Sequence, residues 1–155
     1  MKPFAVRYAV AAALFVVVDL IWLLGVANAL YAELLGDLLA EDARPWAAVV
    51  FYLLFVAGLV FFVIQPAEQD ERPVRRAALT GAFFGLVTYA TWDLTNLAVL
   101  ADWPLAVVPI DLAWGSILGA TVCAGTTAIV ARISPPGPRG AGAARTGSHP
   151  GDRDR

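Results

Sequence analysis

The chain has 155 residues, of which 59% are hydrophobic and only 15% charged, with a net charge of −2. That composition is too apolar for a soluble domain of this size and belongs to the membrane class; it offers no electrostatic basis for nucleic-acid binding. The single cysteine, Cys123, and single histidine, His149, exclude an intrachain disulfide, a Cys/His metal site and histidine catalysis in the core.

Four apolar runs are long enough to cross a hydrocarbon core of roughly 30 Å, which takes about 20 helical residues. The first covers 4–29. Lys2, Arg7 and an apolar stretch ending in Ala27-Asn28-Ala29 have the outline of a secretory signal, but the run exceeds a signal core and Asp19 interrupts it, so it reads as an uncleaved span. From Ala29 to Ala40, Leu30, Leu34, Leu35 and Leu38 share one face and Glu33 and Asp37 another, which predicts a short helix lying on the outer membrane surface. The second span covers 46–64, and the connector Gln65–Arg76, with three acids, three arginines and two prolines, reads as solvated. The third and fourth spans cover 77–100 and 105–131 and are joined by a tight turn at Ala101–Pro104. The runs are continuous rather than alternating, which excludes strands, and an open sheet would leave backbone groups unpaired in lipid. The expected fold is all-α: residues 1–132 form a four-span transmembrane helical bundle, and 133–155 form a Pro/Gly-rich disordered tail.

Ten of the eleven lysines and arginines fall on one side of these spans, and only Arg44 falls on the other. By the positive-inside rule both termini are cytoplasmic, as in a multi-pass protein of a bacterial cytoplasmic membrane. Trp46 and Trp103 lie near the outer ends and read as interfacial anchors.

Three aspartates, Asp19, Asp93 and Asp111, interrupt the first, third and fourth runs without an intramembrane cation beside them. Each costs about 2.5–3.5 kcal/mol at a span centre even on the lenient insertion scale. At 1.5 Å per residue they lie about 15, 10 and 9 Å inside the outer ends of their spans, all in the outer half, with Tyr52 at a similar depth. Helical spacing puts Gly81, Gly85, Tyr89, Asp93 and Asn96 on one stripe, bordered by Trp92, and Asp111, Trp114, Gly115, Leu118, Gly119 and Val122 on another. The glycines at i, i+4 would let two helix backbones approach closely. Asp19 with Trp22, and Asp111 with Trp114, repeat a D-L-x-W pattern in which acid and indole share a face. One outward-opening cluster of Asp19, Trp22, Tyr52, Tyr89, Trp92, Asp93, Asn96, Asp111 and Trp114 is the economical arrangement, since each acid would otherwise face lipid alone.

The strings Tyr89-Ala-Thr-Trp-Asp-Leu-Thr-Asn-Leu-Ala98, Asp102-Trp-Pro104 and Asp111-Leu-Ala-Trp-Gly115 resemble the bacterial membrane-protein family called "domain of unknown function 2177". Asp19-Leu-Ile-Trp22 and the stretch starting Phe51-Tyr52 fit the same pattern, so the resemblance covers roughly 1–132. It implies a small multi-span inner-membrane protein and carries no activity with it.

The residues themselves leave three functional classes open. The acids would bind a proton, a cation or a small molecule, with Asn96 and Tyr52 as neutral partners; transport would then require a dimer or larger assembly. Alternatively they would serve as general acid and base in an intramembrane enzyme acting on a lipid or isoprenoid, with tryptophans steadying a carbocation. In the third reading they are polar glue between helices or toward a partner's spans, worth about 0.6 kcal/mol per contact. Membrane lipid is the expected surroundings in all three.

Overall fold

The structure, a computed structural model, describes residues 3–133 except 41 and 43. The expected tail from 134 onward, with His149, lies outside the described residues, as do Lys2 and Glu41. The described chain is helical, and no strand occurs in it.

Helix α1 (Phe4–Trp22) runs through a π turn at Leu23–Ala27 directly into α2 (Asn28–Leu35). The three segments form one continuous helix of 32 residues, which corrects the expectation of a separate helix lying on the membrane surface from Ala29 to Ala40. Gly36, at φ +48°, breaks the helix by entering the left-handed region that glycine adopts at little cost. After a 3₁₀ turn at Gly36–Leu38, α3 (Pro45–Gly58) starts on a proline, whose missing N–H is harmless in a first turn. It continues through a second π turn, Leu59–Ile64, into the short α4 (Gln65–Ala67). Helix α5 (Pro73–Val99) also begins on proline, and α6 (Val107–Ile133) follows after the turn around Trp103.

Cross-helix contacts fix the arrangement. Phe15 of α1 meets Tyr52 and Phe55 of α3, while near the other end Arg7 meets Glu68, so these helices are antiparallel. Helices α1 and α6 are also antiparallel: Trp22 pairs with Trp114, and Leu14 lies beside Gly125. Helices α5 and α6 form the most extensive pair. A Cβ added to Gly85 would land on the Gly115 carbonyl, and one added to Gly119 on the Gly81 carbonyl. Backbone meets backbone there, the close approach that small residues permit.

Among the described residues, three helices are long and apolar enough to cross a membrane: Phe4–Leu35, Pro45–Ala67 and Val107–Ile133. Helix α5 has 27 residues, ample in length at about 1.5 Å per residue, but it is less apolar than the others and carries Arg75 and Arg76 in its first turn. The side-chain distribution is inverted relative to a water-soluble protein. Leu24, Val99, Ile21 and Leu54 point outward, whereas Asp19, Asp93, Asp111, Thr126 and Thr127 are buried. An apolar surface this extensive needs an apolar medium. The core, around Phe15, Leu59, Ile64, Leu118 and Val122, fills the half of the bundle nearer the two described termini. Cys123 is fully buried in it, packed beside Gly81.

That end also holds an ion pair not expected from a solvated connector. Arg7 donates through Nε to Glu68 Oε1 at 2.9 Å and through Nη2 to Oε2 at 2.7 Å. The fork is bidentate and its arginine only 7% exposed, so it ties the start of α1 to the end of α4.

Candidate functional site

At the opposite end the helices splay around a cleft of about 510 Å³. Asp19, Trp22 and Leu23 line it from α1 and its π turn, and Tyr31 and Leu35 from α2. Phe51 and Tyr52 enter from α3, Thr88, Tyr89 and Trp92 from α5, and Trp103, Val107 and Asp111 from the α5–α6 turn and α6.

Two carboxylates organise the polar part. Tyr52 donates its hydroxyl to Asp19 Oδ2 at 2.6 Å, and Tyr31 donates to Asp111 Oδ1 at 2.6 Å. Each acid therefore has one oxygen engaged by a phenol and lines the cleft with the rest of its carboxyl group. Both side chains are only 5% exposed, so the phenols supply hydrogen bonds where water has little access. Trp114 stands close to Asp19 and to the Tyr89 hydroxyl, though its indole N–H makes no well-aligned hydrogen bond among the described residues. Its ring stacks on Trp22 at 4.5 Å between centroids and 10° between planes. The two D-L-x-W patterns thus meet as an indole pair between α1 and α6.

Asp93 stands apart. It is fully buried, neither carboxyl oxygen has a hydrogen-bond partner among the described residues, and it does not line the cleft. It lies within electrostatic range of Asp111. Asn96 is nearby on the same helix, with its amide nitrogen also unpaired, and is likewise absent from the cleft wall. The single cluster of three acids expected from depth is therefore two acids in the cleft and one enclosed beside them. Thr88, Tyr89 and Trp92 are the side chains of α5 that line the cleft, and Asp93, one turn beyond Tyr89, does not reach it.

Trp92 borders the cleft but remains 61% exposed, and its ring meets that of Trp103 edge-on at 5.8 Å. Trp103 is buried, not an interfacial anchor as its position in the turn suggested, whereas Trp46 is 68% exposed. Tyr89 rests against α6, since a Cβ on Gly115 would collide with its ring. The small residue that allows the helices to touch thus also seats a side chain of the cleft.

Sequence reasoning missed several residues of the cleft wall, among them Phe51, Thr88 and Trp103, and it missed Tyr31, the partner of Asp111. At about 100° per residue, the 12 residues from Asp19 to Tyr31 put them about 120° apart on a regular α-helix. A π turn absorbs about one extra residue, which brings the separation back to about 20°. The π turn at Leu23–Ala27 thereby returns Tyr31 to the face of Asp19 and over Asp111.

Among the described residues no group of three or more His, Cys, Asp or Glu side chains could hold a metal ion. The family model described as "Predicted membrane protein (DUF2177)" matches residues 4–129, and the chain belongs to that family. Neither the curated proteins nor the solved structures contain a significant match.

Proposed function

We propose that this multi-pass membrane protein of the DUF2177 family is a binding protein, holding a small molecule or cation in the cleft between Asp19 and Asp111. The observation that carries the reading is the pairing of two buried carboxylates, each fixed by a tyrosine hydroxyl, across one aromatic-walled cavity. A volume of about 510 Å³ falls in the range of small-molecule sites, about 300–1,000 Å³. Beyond the cleft, Phe15, Leu59 and Leu118 are buried in the packed core, which favours binding over conduction and makes any transport depend on a larger assembly.

Helix α5 is read as the fourth span, because its backbone contact with α6 at Gly85 and Gly119 obliges it to lie alongside a helix that crosses. Among the described residues, Arg7, Arg72, Arg75, Arg76 and Arg132 then share the end away from the cleft, and only Arg44 lies at the cleft end. This supports cytoplasmic termini, a cleft in the outer half of the membrane and, in a bacterium, residence in the cytoplasmic membrane. Asp93 beside Asp111 favours a second reading, an acid–base enzyme working on a lipid, because the two carboxyl groups sit in unlike surroundings.

Cysteine labelling tests the main reading. The sequence has one cysteine, and it is buried, so Thr88→Cys places a unique accessible thiol on the cleft wall. In intact cells it is expected to react with an impermeant methanethiosulfonate, faster with a trimethylammonium reagent than with a sulfonate of the same length. The preference should vanish in Asp19→Asn/Asp111→Asn. Labelling only after the cells are permeabilised, or not at all, would refute an outward-opening site.

A further inference from the structure

The cleft combines negative charge with aromatic walls, and this combination narrows its ligand. We infer that the cleft between Asp19 and Asp111 takes an organic ammonium cation, either a free compound or the headgroup of a lipid. The inference rests on the proposal that the cleft is a ligand site and names the chemistry it would select.

Three observations converge. First, both acids that line the cleft come without a cation: no Lys, Arg or His is among the lining residues, and Arg7, the basic residue within α1, pairs with Glu68 at the far end. Two buried carboxylates line one cavity with no basic side chain of the protein on its wall, so a positive ligand supplies what the protein withholds. Second, seven of the thirteen lining residues are aromatic, three of them tryptophan. Aromatic faces attract a cation that carries little hydration, and tryptophan does so best. Third, the size and donor set do not suit a bare metal ion. Calcium gathers six to eight oxygens and magnesium needs near-octahedral ligands, whereas here only two carboxylates line a cavity many times the volume of an ion, and one oxygen of each is committed to a tyrosine. An alkylated ammonium fits all three: its charge meets the carboxylates, its methyl or methylene groups meet the rings, and its bulk fills the space. The indole N–H of Trp103, on the cleft wall and without a hydrogen-bond partner among the described residues, can in addition engage an oxygen atom carried by such a molecule.

The test compares choline with 3,3-dimethylbutan-1-ol, the neutral molecule in which carbon replaces the ammonium nitrogen. Binding is followed by quenching of tryptophan fluorescence in the full-length protein reconstituted in phosphatidylglycerol nanodiscs. Choline is expected to bind at least tenfold more tightly than its neutral counterpart. That advantage should be lost in Asp19→Asn and in Asp111→Asn, and choline affinity should fall in Trp92→Leu, whose exposed side chain makes it the variant least at risk of misfolding. Trp46→Leu, at the lipid-exposed start of α3, should bind as wild type. Repeating the titration in phosphatidylcholine nanodiscs separates the sources: a weaker apparent choline affinity there identifies the lipid headgroup as occupant, and an unchanged one identifies a free cation. Equal affinity for choline and the neutral analogue overturns the ammonium assignment while leaving a ligand cleft. Displacement of choline by millimolar calcium or sodium overturns it in favour of a metal ion. Failure of both choline and the neutral analogue to bind overturns the inference and the binding function together.

Discussion

The contact between α5 and α6 makes a sharp prediction, because one substitution should have opposite signs at different glycines. A Cβ on Gly85 would sit 2.7 Å from the Gly115 carbonyl carbon. Carbon atoms pack best at about 3.5–4.0 Å, so relieving that contact alone needs α6 to retreat by about 0.8–1.3 Å, and the nearer carbonyl oxygen adds to this; a gap of about 0.5–1 Å already forfeits a quarter to a half of the dispersion energy across a contact. No rotamer change relieves the clash, since the obstacle is backbone. Gly85→Ala should therefore cost about 1–3 kcal/mol, the range for overpacking, or more. At Gly58 the obstacle is the tip of the Phe84 ring, 3.0 Å away, which can shift, so Gly58→Ala should cost less. At Gly25 nothing lies within 4 Å of a new Cβ, and Gly25→Ala should gain about 0.5–1 kcal/mol from reduced backbone freedom. Reversible unfolding in bicelles, followed by far-UV circular dichroism, ranks the three. If Gly85→Ala proved as stable as Gly25→Ala, the two helices would not be in backbone contact and the seat of Tyr89 against Gly115 would fall with it.

Three further outcomes follow from the same geometry. Arg7→Ala and Glu68→Ala should each destabilise, and the double-mutant cycle should return a coupling of about 1.5–3 kcal/mol, as for charge-assisted hydrogen bonds; a coupling near zero would mean that the fork at 2.7–2.9 Å does not persist in solution. Tyr52→Phe and Tyr31→Phe remove the donors to Asp19 and Asp111, and each should lower unfolding stability by about 1–3 kcal/mol. Ala in place of the paired aspartate removes the acceptor and should erase most of that effect, which double-mutant unfolding curves would show. Asp93→Val should be no less stable than wild type, because two unpaired buried oxygens leave the protein with them; a loss of 3 kcal/mol or more, the usual result of breaking a buried pair, would reveal a partner for Asp93 in the folded protein.

Much of the frame was legible in sequence because membrane burial leaves a coarse signal. Long apolar runs marked the helices, and the actual ends differ by a few residues, as at Pro45–Ala67 against 46–64 and Val107–Ile133 against 105–131. Gly81, Gly85, Gly115 and Gly119 were recognisable because helical spacing alone puts them on facing stripes. What sequence could not supply was rotation. The position of Tyr31 depends on a π turn within the unremarkable string Leu23–Ala27, and a regular helix drawn through it points the phenol elsewhere. Asp93 differs for a related reason: depth ranked it with Asp19 and Asp111, but depth does not say which side chains of α5 reach the cleft, and Thr88, Tyr89 and Trp92 are the ones that do. Glu68 was hidden because the partner that gives it a role, Arg7, is 61 residues away.

The distribution of unpaired polar atoms distinguishes the two ends of the bundle. Of the seven buried side-chain atoms without a hydrogen-bond partner among the described residues, six belong to Trp22, Asp93, Asn96, Trp103 and Trp114 at the cleft end, and one to Thr126. At the other end the charged pair Arg7–Glu68 is satisfied by a two-pronged hydrogen bond and the core is closely filled. Each orphaned group costs about 1–3 kcal/mol, comparable with a sizeable share of the 5–15 kcal/mol that folding typically leaves as net stability. A bundle needing only mutual adhesion of its helices would gain by replacing such groups with hydrocarbon, since polar contacts in membranes return only about 0.6 kcal/mol each. The cost is concentrated at one end, and that end holds the cleft, the two phenol-anchored carboxylates and the aromatic walls. Local rules of stability are characteristically violated where a protein meets its ligand. The argument from energy and the argument from cavity geometry therefore select the same end of the molecule, although they use different atoms: the first turns on groups that lack partners, the second on Asp19 and Asp111, which have them.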